Sequence, residues 1–145
     1  MSSRFIAGGF EAGMKYLAEA LRKEGWMTVV LGHRESGPDA LWAEVHKSGL
    51  KSGLLALTTD PGAYQDRFMD IAASLQWMGR RCKPSFVALI GHSMGAATVM
   101  MEAGAKNKLG LRGQDRFDAY VAMSPQGPGS IFPPDAWREI GNQCW

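Results

Sequence analysis

The stretch LIGHSMGAA, residues 89–97, sets Ser93 between two glycines, Gly91 and Gly95, with His92 and Met94 as its immediate neighbours. A serine hydroxyl is a weak nucleophile, and the chemistry open to it is attack on a carbonyl once a base takes its proton. The Gly-x-Ser-x-Gly spacing suits that chemistry for a steric reason. A chain that turns sharply from strand into helix strains the residue at its tip, and side chains two positions away would collide. The serine then projects above the sheet at the positive end of the helix. There the backbone N–H of Met94 is free to hold an oxyanion. The motif has this meaning only with an apolar strand before it and a helix after it, and SFVALIG and MGAATVMMEAGA supply both. Gly91, His92 and Gly95 form the frame of the turn. His92 is expected to point away from the serine and pack behind it.

The elements that must position Ser93 alternate between strand and helix, the pattern of an α/β domain with a parallel sheet. The runs Trp26–Gly32, Ser85–Gly91 and Ala119–Ser124 are short and apolar without clean alternation, as in strands covered on both faces. Between the first two, Asp60 is placed to cap a helix that Pro61 opens, and Tyr64, Phe68, Ile71, Leu75 and Met78 recur at helical steps. An earlier helix runs from about Met14 to Lys23, with Met14, Leu17, Ala18 and Leu21 on one face and Gly25 ending it. The helix after Ser93 is apolar on nearly every side, so burial is expected. Ser36–Gly53 and Ser124–Trp137 read as loop-rich segments.

At 145 residues, one domain (1–145) with a proper core is expected. Apolar residues are 46% and charged residues 21%, which excludes disorder, and the apolar runs are too short to span a bilayer. No membrane partner is expected. The start, MSSRFIAGGF, lacks the features of a secretory signal, so a cytoplasmic location is expected. A formal charge of +2 is mild, and the densest basic group, Arg80–Lys83, follows a helix whose dipole it complements, so nucleic acid is not the expected partner. Cys82 and Cys144 form neither a disulfide framework nor a metal-ligand spacing; no metal and no cofactor are expected.

Four stretches carry a family resemblance: YLAEALRKEGWMTVVLGHRESG, DPGAYQDRFMDIAASLQWM, FVALIGHSMGAATVMMEAGA and RFDAYVAMSPQGPGS. Together they resemble the α/β-hydrolase superfamily, and within it the esterase and dienelactone-hydrolase-like branch, over most of Phe5–Ile140. The resemblance implies a partial α/β-hydrolase fold: a mostly parallel sheet in a three-layer αβα arrangement. It implies Ser93 as nucleophile, Met94 N–H as oxyanion donor and a small ester-like or lactone substrate. Gly8-Gly9-Phe10 stands where the family has a His-Gly turn, which makes Phe10 N–H a second oxyanion donor. The family's acid and histidine follow on loops after later strands. Here the corresponding stretch reads EIGNQCW, and no histidine follows His92. The expectation is a nucleophile platform truncated before its acid and base, catalytically incomplete by itself.

Other residues compete for those roles. His33 follows the strand ending at Leu31, at the edge a parallel sheet shares with Ser93, and is a candidate base. Asp135, past the last strand, is a candidate acid or a cap for Ala136-Trp137. Glu35 and Asp39 are weaker candidates, and His46 is expected to be solvated. Two alternatives stay open: an active serine esterase with its base from His33 or a partner subunit, and a non-enzymatic interaction module presenting SPQGPGSIFPPDAW. A fragment of a longer gene product would also read this way. In the resembled fold the first strand lies between the next strand and the serine strand. Either Ser3–Ala7 fills that slot as a stub, or the chain forms a homodimer through an exposed sheet edge.

Overall fold

The computed structural model describes residues 3–7, 11–32 and 38–141. Among these residues, Ser3–Ala7 and the three apolar runs form short parallel strands: β1 (Ser3–Ala7), β2 (Met27–Leu31), β3 (Ala88–His92) and β4 (Ala119–Met123). The helices among the described residues are α1 (Glu11–Lys23), α2 (Pro38–Ser48), α3 (Leu50–Thr59), α4 (Pro61–Gly79) and α5 (Met94–Glu102). The strands pair in the order β2-β1-β3-β4. Ser3–Ala7 fills the central slot. It registers with β2 from Ser3↔Met27 to Ala7↔Leu31, and with β3 at Phe5↔Leu89 and Ile6↔Ile90.

Because side chains alternate along a strand, β2, β3 and β4 each feed two cores. Leu89 and Tyr120 are buried with Ile71 and Met78 of α4 and Val99 of α5, and Val29 and Leu31 pack against them. Ile90 lies on the other side with Met14 of α1, beside Val30, Val121 and Met123. The result is an α/β fold in three layers, α1 on one face of the sheet and α4 with α5 on the other. Local signals match the expectation. Asp60 Oδ1 accepts from Gly62 N at 2.9 Å, and Gly25, at φ 81°, turns the chain out of α1 as only glycine does without strain.

The segment Ser36–Gly53 departs from the loop-rich expectation. Its described part is helical: α2 opens at Pro38, a residue suited to a first turn, and Gly49 at φ 83° separates it from α3. The periodicity was hidden because the two helices pack chiefly on each other and leave Trp42, Leu50 and Leu55 exposed. No described helix is long and apolar enough to cross a membrane.

Tyr64 ties α4 to α3 by donating to Thr58 O at 2.8 Å. Burial pushes its phenol from 10.0 up to about 12, while the charge of Arg67 pulls the other way. A group whose folded pKa is raised stabilises the fold while protonated. Its contribution is therefore complete below pH 10 and lost as pH rises through about 12. Urea unfolding at pH 9 and pH 12 should show a loss that Tyr64→Phe reduces by about 2 kcal/mol.

Candidate active site

Ser93 sits at the tip of the turn between β3 and α5, with φ 55° and ψ −115°. Backbone in this region costs a non-glycine residue on the order of 1–3 kcal/mol and persists only where its surroundings hold it. Two bonds hold it here. Ser93 N donates to Met123 O of neighbouring β4 at 3.0 Å, and Ser93 O accepts from Ala97 N at 3.1 Å, opening α5. The helix behind the turn is buried along its whole length, with Ala96 and Ala97 at 0% exposure, so its first turn lies against the sheet. Thr98, in that interior, satisfies its hydroxyl by donating to Met94 O at 3.0 Å.

The Ser93 side chain itself is exposed, makes no capping bond, and has no hydrogen-bond partner among the described residues. Met94 begins α5, so its N–H belongs to the first turn, where helical donors have no acceptor within the helix. Ser93→Gly should relieve the backbone strain. Offset by the greater freedom of unfolded glycine, the gain is about 1 kcal/mol, a rise of about 2–4 °C in melting temperature. Thermal unfolding beside Ser93→Ala, which keeps the strain, measures it.

The other expected residues divide. His92 ends β3 and is exposed, not packed behind the turn as expected. Asp135 lies beyond the far end of α5, its carboxylate 3.6 Å from Lys106 Nζ, while Lys106 N donates to Ala136 O at 2.9 Å. A nine-residue helix separates it from Ser93, a rise of about 13 Å, so the structure does not bring the two together. Nor does Asp135 cap the turn that follows: its carboxylate faces Lys106, which also meets Glu139 at 2.8 Å. The hydrogen bond from Lys106 to Glu139 is the main reason the amine's pKa is raised. His46 rides on α2, exposed, stacked on Trp42 with its Nδ1 3.1 Å from Trp42 O. Asp39 is exposed in the first turn of α2. Phe10, His33, Glu35 and Cys144 lie outside the described residues. Cys82 is a half-buried thiol donating to Met78 O at 3.4 Å.

Two residues at the serine edge escaped sequence reasoning. Ser124 leaves β4 with φ 50°, a second strained serine at the same edge of the sheet. Two positions on, Gln126 Oε1 is buried with no hydrogen-bond partner among the described residues. The only sequence sign was a turn-rich stretch after a strand. Among the described residues, no group of three or more His, Cys, Asp or Glu is placed to hold a metal ion.

No family model matches the chain, and no curated protein matches it. Among solved structures, the chain is similar to a metagenome-derived lipolytic enzyme, one of the pair LipS and LipT. The TM-score is 0.50 and the identity 21%, and the match covers 85% of this chain and 40% of that one. This chain therefore spans well under half the length of the enzyme it matches. The likeness is one of fold: a parallel sheet flanked by helices, arranged as in a lipolytic hydrolase.

Proposed function

We propose that the chain carries the nucleophile platform of a carboxylic-ester or lactone hydrolase on a partial α/β-hydrolase fold. The observation that carries the reading is the strained backbone of Ser93, φ 55° and ψ −115°, with its hydroxyl exposed at the N-terminus of a buried helix. Strain persists where it serves a task, and an exposed serine hydroxyl on such a turn has little structural use. The strand order β2-β1-β3-β4 and the fold shared with a lipolytic enzyme support it.

In this reading Ser93 Oγ bonds to the carbonyl carbon of an ester, and its proton leaves. Met94 N–H receives the developing oxyanion, with Phe10 N–H as second donor, and the alkoxide departs to leave an acyl-serine. The proton is the weak point. Ser93 Oγ has no described partner to take it, so solvent does, and only esters with good leaving groups react at a useful rate. A second reading makes His33 the base, on the ground that β2 ends at Leu31, two residues before it, at the same edge of the parallel sheet.

Labelling by a fluorescent fluorophosphonate separates these. Wild type should label slowly, Ser93→Ala not at all, and His33→Ala at the wild-type rate. Loss of labelling in His33→Ala favours the second reading, and labelling that survives Ser93→Ala overturns both.

A further inference from the structure

We propose that the chain has a second binding site, at the sheet edge opposite Ser93, for a small organic carboxylate with an apolar tail. It does not depend on the reading of Ser93. Glu102 closes α5 at the end remote from the serine, and a cavity of about 180 Å³ opens there, between α4 and the segment before β4. That is on the order of six water volumes, room for a carboxylate with a short hydrocarbon chain.

The lining has two chemistries. Phe68 and the exposed Met69 and Ala72 of α4 supply its apolar lining, and Glu102, Arg112, Gln114 and Arg116 its polar lining. Glu102, fully buried, is already satisfied: Arg116 donates from Nε at 2.7 Å, from Nη2 at 3.0 Å and from its backbone N at 3.3 Å. One carboxylate thus answers one guanidinium, and the positive charge of Arg112 is left over. Arg112 has no hydrogen-bond or ion-pair partner among the described residues. An anion bound there meets Arg112 directly and Arg116 beside it, while its tail lies on Phe68 and Met69.

The segment is built to hold Arg112 in place. Asn107 brackets Leu111, donating to its carbonyl at 2.7 Å and accepting from its N–H at 3.0 Å. Gly113 runs so close to α5 that a Cβ on it would lie 2.3 Å from Glu102 Cα, so only glycine fits. Asp115 N donates to Glu102 O at 3.0 Å, and Tyr120 OH donates to Asp115 Oδ1 at 2.8 Å. The backbone on both sides of Arg112 is thereby ordered before any ligand arrives, which lowers the entropic cost of binding.

The experiment is a titration of the full chain with sodium hexanoate, followed by amide shifts in nuclear magnetic resonance spectra. Hexan-1-ol and inorganic phosphate are the comparison probes. Hexanoate should bind saturably, with shifts confined to residues 68–72 and 112–116. Arg112→Gln, an exposed change that spares the Glu102 pair, should weaken binding by about tenfold, as for a lost charge-assisted contact. Ala72→Phe should abolish binding by filling the cavity, and Ser93→Ala should leave binding unchanged. Hexanol binding as tightly as hexanoate, phosphate binding as tightly, no saturation, or an Arg112→Gln variant with wild-type affinity would each overturn the site. So would loss of hexanoate binding in Ser93→Ala, which would move the ligand to the serine edge.

Discussion

Mixed with p-nitrophenyl acetate, the chain should release nitrophenolate in a burst no larger than the amount of protein, followed by slow turnover, and Ser93→Ala should abolish the burst. The reason is where the protons go. On the proposed reading, acylation of Ser93 needs its hydroxyl ionised, and with no partner for Oγ among the described residues that falls to hydroxide in solution. The burst rate should therefore climb by about tenfold per pH unit between pH 6 and pH 9. A histidine base would instead give a rate that levels off above its own pKa, near 6.5 when unperturbed. Deacylation by water needs the same help, so the acyl group stays on the serine. Against water alone, the proposed oxyanion donors should still supply an acceleration on the order of a thousandfold. Stopped-flow absorbance of wild type and Ser93→Ala across that pH range measures each part.

Glu102→Ala should destabilise the fold by about 3 kcal/mol, lowering the melting temperature by about 10 °C, while leaving the geometry at Ser93 intact. Glu102 is fully buried and accepts three hydrogen bonds from Arg116. Removing it leaves a guanidinium whose side chain is only 19% exposed without its counter-charge, and a backbone N–H without its acceptor. Partial exposure of Arg116 keeps the loss at the lower end of the usual range for a broken buried pair. Glu102→Gln, which retains an acceptor, should lose about half as much. Urea titrations of the two variants give the comparison. Equal stability of Glu102→Ala and wild type would mean that the attraction between Glu102 and Arg116 only offsets the cost of burying the two charges.

What could be read from the sequence follows from how local each signal is. The frame Gly91–Gly95 encodes a turn within five residues, and Ser93 lies at the tip of that turn. The apolar runs became strands because a strand covered on both faces needs no partner in sequence to look apolar. The long stripe from Tyr64 to Met78 likewise declared α4. By contrast α2 and α3 bury little against the sheet, so no apolar stripe announced them, and Trp42 and Leu55 remain exposed. Asp135 shows the limit for sites: its fate was decided by Lys106, which only the folding of the segment after α5 brings near. The pair Glu102–Arg116 had a signal that went unused. A single glutamate inside a helix apolar all round must find a cation, and Arg116 stood fourteen positions on.

The most direct measurement is the site of acylation. After brief exposure to p-nitrophenyl acetate at pH 8, the protein is digested and the acetylated peptide sequenced by mass spectrometry. One acetyl group is expected, on Ser93, absent from the Ser93→Ala protein. Acetylation at Ser124, Cys82 or lysines with Ser93 unmodified would contradict it.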